Sequence, residues 1–144
     1  MSARSPQTTT RLRAAAALAA VVPLGFAAKF YPGPLAGWVN NSLGGTFYEV
    51  FWCLVAVALF PSVRPAVAGV AVLLATCSLE FLQLWHPPLL EALRSSFIGV
   101  TILGRQFAWS DFPYYFVDAA TGWAMLTRLQ ARAPQATNRA EIPE

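Results

Sequence analysis

Charged residues are scarce in this sequence. Lys, Arg, Asp and Glu make up 12% of its 144 residues and hydrophobic residues make up 56%, whereas a soluble domain is about 25% charged and about 45–50% apolar. This shortage excludes an ordinary soluble domain and a disordered chain. The formal net charge of +3 is not gathered into a basic stripe, which excludes nucleic acid as a partner. The composition indicates an integral membrane protein whose first partner is the lipid bilayer.

Metal ligands and nucleophiles are also scarce. One histidine and two cysteines are too few for a zinc site, so we expect neither a metal nor another cofactor. His86 is interpreted as an interfacial anchor, and Cys53 and Cys77 as packed free thiols. Ser95 and Ser96 have no accompanying base, and there is no phosphate-binding glycine loop. These gaps favour a protein that is not an enzyme.

Four long apolar runs dominate what is present. They are Ala14–Phe30, Gly45–Phe60, Ala66–Trp85 and Phe112–Leu129, each close to the roughly 17–25 residues of a membrane-spanning helix. The sequence therefore predicts an all-α polytopic membrane protein with four transmembrane helices in a domain covering residues 11–131. Residues 1–10 and 132–144 are predicted to be disordered cytoplasmic tails. Residues 89–104 are apolar but too short to span, which predicts a short interfacial or re-entrant helix.

Basic residues predict the orientation. With both termini in the cytoplasm, seven basic residues lie inside and three outside, in agreement with the positive-inside rule. The inside group is Arg4, Arg11, Arg13, Arg64, Arg128, Arg132 and Arg139, and the outside group is Lys29, Arg94 and Arg105. A cleaved signal peptide remains an alternative for the first run. A retained helix is favoured because this apolar core is longer than the usual signal-peptide core.

Three acidic residues lie inside the predicted spans, where each carboxylate costs about 2.5–3.5 kcal/mol. The predicted depths of Glu49, Glu80 and Asp118 below the outer boundary are about 6, 7.5 and 9 Å. Gln83 shares a helix face with Glu80, and Asp111 shares one with Asp118. Because intramembrane acids usually mark function, this alignment predicts an outward-facing polar cleft. One alternative is that the acids only join neighbouring helices. A second is that Glu–Arg pairing only anchors the outer loop.

Several motifs carry a family resemblance. They are residues 29–31, 38–44 and 47–52, the run Leu79–Pro88, residues 93–95, and the run Trp109–Tyr115. Over about residues 12–130 the chain resembles a bacterial domain-of-unknown-function family, number 2809, of small multi-pass membrane proteins. More distantly it resembles VanZ-like proteins, a group named for a protein linked to teicoplanin resistance. The resemblance implies a multi-pass protein of the bacterial inner membrane, and it places the family's polar pattern on Asn40, Glu49, Glu80, Gln83, Arg94 and Asp111. Asp118 departs from that pattern.

The predicted ligand-binding residues are therefore Asn40, Glu49, Glu80, Gln83, Arg94, Asp111 and Asp118. The leading hypothesis is a cleft that binds a cell-envelope lipid or lipid-linked glycan. A small transporter or proton-coupled carrier subunit is the first alternative, because titratable acids in spans suit it. An enzyme would use Glu80 or Asp111 as base and Arg94 for phosphate. A structural accessory subunit, with a membrane-protein partner or a second copy, is the last alternative.

Overall fold

The structure is a computed structural model that describes residues 5–104 and 106–131. Seven α-helices lie in these ranges: α1 (Pro6–Lys29), α2 (Ala36–Trp38), α3 (Gly44–Leu59), α4 (Pro65–Leu82), α5 (Pro88–Arg94), α6 (Phe97–Leu103) and α7 (Phe112–Ala131). A π-helical turn, Val39–Leu43, joins α2 to α3, and a 3₁₀ turn, Trp109–Asp111, leads into α7. The described residues contain no strand, so the predicted all-α class is confirmed for them. Arg4, Arg105, Arg132, Arg139 and the predicted tail 132–144 lie outside the described residues.

Three helical segments in the described part of the chain are long and apolar enough to cross a membrane. They are Pro6–Lys29, Ala36–Leu59 and Pro65–Leu82, and they correspond to the first three predicted spans. The second runs without a break from α2 through the π-helical turn into α3. α7 corresponds to the fourth predicted span, but it carries Asp118 and Arg128 and is not among the three. A fourth crossing stays a prediction.

The helix boundaries differ from the predicted ones at two starts. α1 begins at Pro6, because the Ser5 side chain accepts a hydrogen bond from the Thr8 amide and proline suits the first helical turn. Residues 6–10 are therefore helical, which corrects the predicted tail at those positions. The second segment begins at Ala36 and not at Gly45, because the π-helical turn continues the helix through a polar stretch.

The connection between α4 and α7 also differs from its prediction. α4 ends at Leu82, three residues before the expected end. The single short helix expected over residues 89–104 is two helices of seven residues, α5 and α6. The break occurs at Ser96, whose side chain accepts a hydrogen bond from the Gly99 amide and caps α6.

α3 is the central helix and packs against α1, α4 and α7. Its buried side chains include Val50, Cys53, Leu54 and Val57. The other helices add Ala14 and Val21 from α1, Ala68 and Val72 from α4, and Leu126 from α7. Cys53 and Cys77 are free thiols, as predicted. This core holds one end of α3 beside the end of α4 and the start of α7.

Gly122 allows α7 to lie close against α3. A Cβ atom at this position would come 2.7 Å from Cys53 Sγ, and a well-packed core does not absorb an added methyl group without strain. Gly122→Ala is expected to lower the free energy of unfolding by about 1–3 kcal/mol, measured by denaturant unfolding in detergent. Gly37→Ala is the control, because a Cβ there meets nothing within 4 Å. Adding Cys53→Ala should recover part of the loss, and a loss unaffected by it would contradict this packing.

Candidate functional site

A cavity of about 190 Å³ lies between α3, α4, α6 and α7. It sits at the end of the bundle where α3 and α7 begin and α4 ends. Five of the seven predicted site residues line it: Glu49, Glu80, Gln83, Asp111 and Asp118. The antiparallel run of the helices therefore brings acids from three distant parts of the chain into one space. Asn40 and Arg94 do not line the cavity.

Glu80 is the most fully bonded acid of the cavity. Its side chain is 2% exposed. Oε2 accepts hydrogen bonds from the Tyr115 hydroxyl at 2.6 Å and the Gln83 amide at 3.0 Å, and Oε1 accepts one from the Ala108 backbone amide at 2.8 Å. All three partners are donors, so the carboxyl group joins α4, α7 and the segment before α7. Glu80 shapes the cavity wall, and its oxygens are already occupied.

An aromatic cluster holds the Ala108 amide in place. Phe107 and Trp109, the neighbours of Ala108, have ring centroids 4.9 Å apart. Phe107 also stacks near Phe81 at 5.9 Å, and Trp109 near Phe112 at 5.4 Å. Such ring pairs add about 0.5–1.5 kcal/mol each beyond their burial. The cluster therefore fixes the segment that donates to Glu80.

A glycine makes room for Gln83. Gly104 has a φ of +69°, in the left-handed region that favours glycine. A Cβ atom built there would overlap the Gln83 amide group. Both conditions require glycine at this position. Gly104 therefore lets the chain after α6 close over the cavity beside Gln83.

Glu49 contrasts with Glu80. Its side chain is fully buried at 0% exposure, and neither carboxyl oxygen accepts a hydrogen bond of good geometry among the described residues, although the Thr76 hydroxyl lies nearby. Buried polar groups are nearly always paired, and an unpaired one needs an explanation. Glu49 lines the cavity, so its oxygens are available to whatever occupies that space.

Asp118 is partly paired. Its Oδ1 accepts a hydrogen bond from the Thr46 hydroxyl at 2.5 Å, while its Oδ2 is buried without a partner among the described residues. Gly45 lies beside it, where a Cβ would be 3.7 Å from Oδ2. Asp118 is 2% exposed and adds a third unpaired carboxyl oxygen to the two of Glu49. The sequence placed it in the site although the resemblance did not.

Two of the three remaining predicted residues, Asp111 and Asn40, differ in their surroundings. Asp111 is half-buried at the start of α7, and its Oδ1 accepts a bond from the Ser110 hydroxyl at 3.2 Å. Asn40 lies in the π-helical turn, with a buried Oδ1 that has no partner in the described ranges. Its neighbours Asn41 and Ser42 line the cavity in its place. π-Helical turns occur often at functional sites.

Arg94 has a different role from the one predicted. Its guanidinium is 3% exposed and donates to the carbonyl oxygens of Leu82 at 2.8 Å and Trp85 at 2.9 Å, and to Glu91 Oε1 at 3.0 Å. These carbonyls lie at and after the end of α4, where the helical hydrogen-bond pattern stops and the Leu82 oxygen has only the Trp85 amide besides Arg94. The expectation that Arg94 enters the acidic cleft is corrected. It anchors the connection between α4 and α5.

Glu91 completes this anchor on the surface. Its Oε1 also lies 2.9 Å from His86 Nδ1. Hydrogen bonds from His86 first, and from Arg94 second, hold the pKa of the Glu91 carboxyl below its ordinary value. This lowering contributes stability above the ordinary pKa and is lost as the pH falls through the lowered one. The anchor is therefore weaker in acid.

The lining of the cavity is acidic. Four carboxylic acids face it, and no Lys, Arg or His is among the described residues that do. Tyr48, Tyr114 and Tyr115 add aromatic faces and hydroxyl groups. The Tyr48 hydroxyl donates to the Ile102 carbonyl at 3.1 Å, which ties α6 to α3 at the edge of the cavity. Hydroxyl and ammonium groups are the partners that suit this lining.

Residues 35–119 match the DUF2809 family of proteins of unknown function. This range is more than half of the chain and runs from the start of the second segment into α7. The chain belongs to the DUF2809 family. Every described residue that lines the cavity falls inside the matched range of the family. No solved structure matches the chain.

The predicted site omits several lining residues of this DUF2809 protein, although the helical spacing places Thr76 with Glu80 and Tyr114 with Asp118 on inward faces. The omitted residues are Asn41, Ser42, Tyr48, Thr76, Thr101, Tyr114 and Tyr115. Tyr115 follows the span start by only three residues and fits an aromatic belt, which hides its bond to Glu80. Thr76 lies four residues before Glu80, a helical spacing that does place both on one face. Thr101 comes from α6, whose position over the cavity no sequence pattern indicates.

Proposed function

We propose that this DUF2809 protein is a multi-pass protein of the bacterial inner membrane that binds the polar part of a cell-envelope lipid or lipid-linked glycan. The proposal takes α7 as a fourth crossing and both termini as cytoplasmic, so the cavity faces outward. The acids and tyrosines of the lining suit groups that donate hydrogen bonds. The observation that carries the proposal is Glu49, fully buried in the cavity wall with two unpaired oxygens.

The size of the cavity limits what enters it. At about 190 Å³ it is smaller than the roughly 300–1,000 Å³ of typical ligand pockets. A whole lipid or an oligosaccharide does not fit, whereas a single head group or sugar-sized unit does. The rest of such a molecule would stay in the membrane or outside it.

A filled cavity tests this function. Gly45 lines the cavity and a Cβ there makes only ordinary contacts, so Gly45→Leu places a side chain in the ligand's space. Native mass spectrometry of the full chain, purified in mild detergent from its own membrane, should show a retained envelope molecule in the wild type. Gly45→Leu should lose at least about tenfold of it, which corresponds to about 1.4 kcal/mol.

Gly37→Leu is the matched control for this test. It makes the same substitution on α2, where a Cβ meets nothing within 4 Å and the residue does not line the cavity. It should retain the molecule as the wild type does. A wild-type protein that retains no specific molecule, or equal retention in Gly45→Leu, would overturn the proposed function.

A proton-coupled carrier is the second candidate, and the same Glu49 favours it. A buried acid with unpaired oxygens between transmembrane helices is the usual element of a proton pathway. Glu49→Gln keeps the shape and removes the titratable group. In proteoliposomes a carrier would lose its proton flux with this substitution. An unchanged flux would contradict the carrier and leave ligand binding as the remaining candidate function.

A further inference from the structure

An apolar groove adjoins the acidic cavity. It has a volume of about 450 Å³ and lies between α3 and α4, with Trp52, Val55 and Leu59 on one side and Val72 and Ala75 on the other. Four residues line both spaces: Tyr48, Thr76, Leu79 and Ile102. The polar space and the apolar space therefore adjoin, with these four residues between them.

The groove has the length of one membrane leaflet. It follows α3 from Tyr48 to Leu59, a rise of eleven residue steps and roughly 16 Å along a helix. The hydrocarbon core of a bilayer is about 30 Å thick, so one leaflet is about half of this. The groove runs from the acidic end of the bundle toward the other end of α3. An alkyl chain whose polar end lies in the cavity would extend along it.

The charge of the cavity selects the polar end. Glu49 offers two buried oxygens without partners, and Asp118 offers one. Among the described residues no cation lines the cavity, so a phosphate there would meet acids of its own sign. An ammonium group supplies both the opposite charge and up to three N–H donors. The acidic side chains in residues 5–104 and 106–131 are not grouped as a metal site requires.

We propose that the ligand is an amphiphile with an ammonium head group, which is held by Glu49 and Asp118 while one alkyl chain lies in the groove between α3 and α4. This inference rests on the proposed function and names the chemistry of its ligand. It differs from the phosphate recognition that the sequence suggested for Arg94. That residue is committed to the carbonyls after α4.

Three probes with one chain and different heads test the head group. Hexadecylamine, hexadecanol and hexadecyl phosphate are added in turn to the full chain in maltoside micelles, and native mass spectrometry measures the fraction retained. We expect hexadecylamine to be retained at least about tenfold more than hexadecanol, and hexadecyl phosphate least of all. Glu49→Gln should bring the amine close to the alcohol. Asp118→Asn is a second variant with the same expected effect. If one of the two variants fails to fold, the other still measures the preference for hexadecylamine over hexadecanol.

A second pair of variants tests the groove. Ala75 is exposed on α4 and lines the groove, so Ala75→Phe fills it without entering the core. This variant should lose most of the retained hexadecylamine. Ala20→Phe makes the same change at an exposed position of α1 that lines no part of either space, and it should bind as the wild type does.

The outcomes distinguish a failure of the ammonium-ligand inference from a failure of the proposed envelope-ligand binding. Equal retention of the three probes, lost only in Gly45→Leu, would overturn the ammonium head while the cavity remains a binding site. Preferred retention of hexadecyl phosphate would overturn it in the same way. Amine retention unchanged by Ala75→Phe would overturn the assignment of the alkyl chain to the groove. Failure of the proposed function shows instead as the absence of any specific molecule on the wild type.

Discussion

Arg94→Met is expected to lower the free energy of unfolding by about 2–4 kcal/mol. Methionine keeps the apolar stem but removes the guanidinium, which leaves the Trp85 carbonyl without its donor and the Leu82 carbonyl with only the Trp85 amide. Each lost hydrogen bond from a charged donor costs about 1.5–3 kcal/mol. The stability of Arg94→Lys should lie between those of the wild type and Arg94→Met, because one ammonium group does not reproduce the guanidinium fork that reaches both carbonyls. Denaturant unfolding in mixed micelles, followed by tryptophan fluorescence, measures the loss.

The partner of Arg94 gives the control. Glu91→Gln removes an exposed carboxylate whose side chain is 51% accessible, and exposed pairs contribute little. The small difference from the wild type should be present at neutral pH. It should disappear in acid, because the contribution of Glu91 declines once the pH falls below its ordinary pKa of about 4.5 and is lost as the pH falls through the lowered pKa.

Arg94→Met also distinguishes the predicted ligand-binding role of Arg94 from its observed anchoring role. If Arg94 bound a ligand in the cleft, Arg94→Met would lose the retained molecule at unchanged stability. If it anchors the end of α4, stability falls first, and the protein that stays folded still retains the molecule. An unaltered unfolding curve would contradict the anchoring role.

The long helices are the part of the fold that the sequence predicts best. An apolar run of about twenty residues has few structures open to it in lipid, because every backbone group needs an internal partner. The positions at which the helices start are harder to predict from the sequence. The π-helical turn at Val39–Leu43 is polar, and a hydropathy pattern does not extend a span through Asn40, Asn41 and Ser42. The Ser5 cap is a local signal that an apolar search passes over.

The acids of the site are predictable for a related reason. A carboxyl group inside a span is costly enough that it turns inward, so Glu49, Glu80 and Asp118 mark the interior from sequence alone. Which of these carboxyl groups accepts hydrogen bonds from the protein is not predictable in this way. It depends on Tyr115 and the Ala108 amide, which reach Glu80 from α7 and the preceding segment. Only tertiary contacts decide that Glu80 is paired and Glu49 is not.

Arg94 shows the limit of reading charges without geometry. The sequence places Arg94 near the outer ends of the helices that carry the intramembrane acids. Opposite charges at one membrane face predict that they share a single cleft. A helix end competes for the same donor, because its last carbonyls have no partners of their own. The short connection from α4 to α5 brings Arg94 to those carbonyls. The acidic cavity is left without this cation.

Glu80→Ala is expected to lower the free energy of unfolding by about 3–5 kcal/mol. The substitution removes the acceptor of three hydrogen bonds and leaves the Tyr115 hydroxyl, the Gln83 amide and the Ala108 amide without their acceptor. Glu80→Gln should cost less, about 1–3 kcal/mol. Its side chain keeps one oxygen for Ala108 but presents a donor where Tyr115 and Gln83 also donate. Denaturant unfolding measures both variants against the wild type.

A double-mutant cycle with Tyr115→Phe shows whether the cost comes from this network. Tyr115→Phe removes one donor and should cost about 1 kcal/mol alone. In the Glu80→Ala background the same change should cost less or become favourable, because the hydroxyl has already lost its acceptor, and the coupling should reach about 0.5–3 kcal/mol. Simple addition of the two losses would mean that Glu80 and Tyr115 act independently. In that case Glu80 would be as free to meet a ligand as Glu49, and the division between a shaping acid and a binding acid would fail.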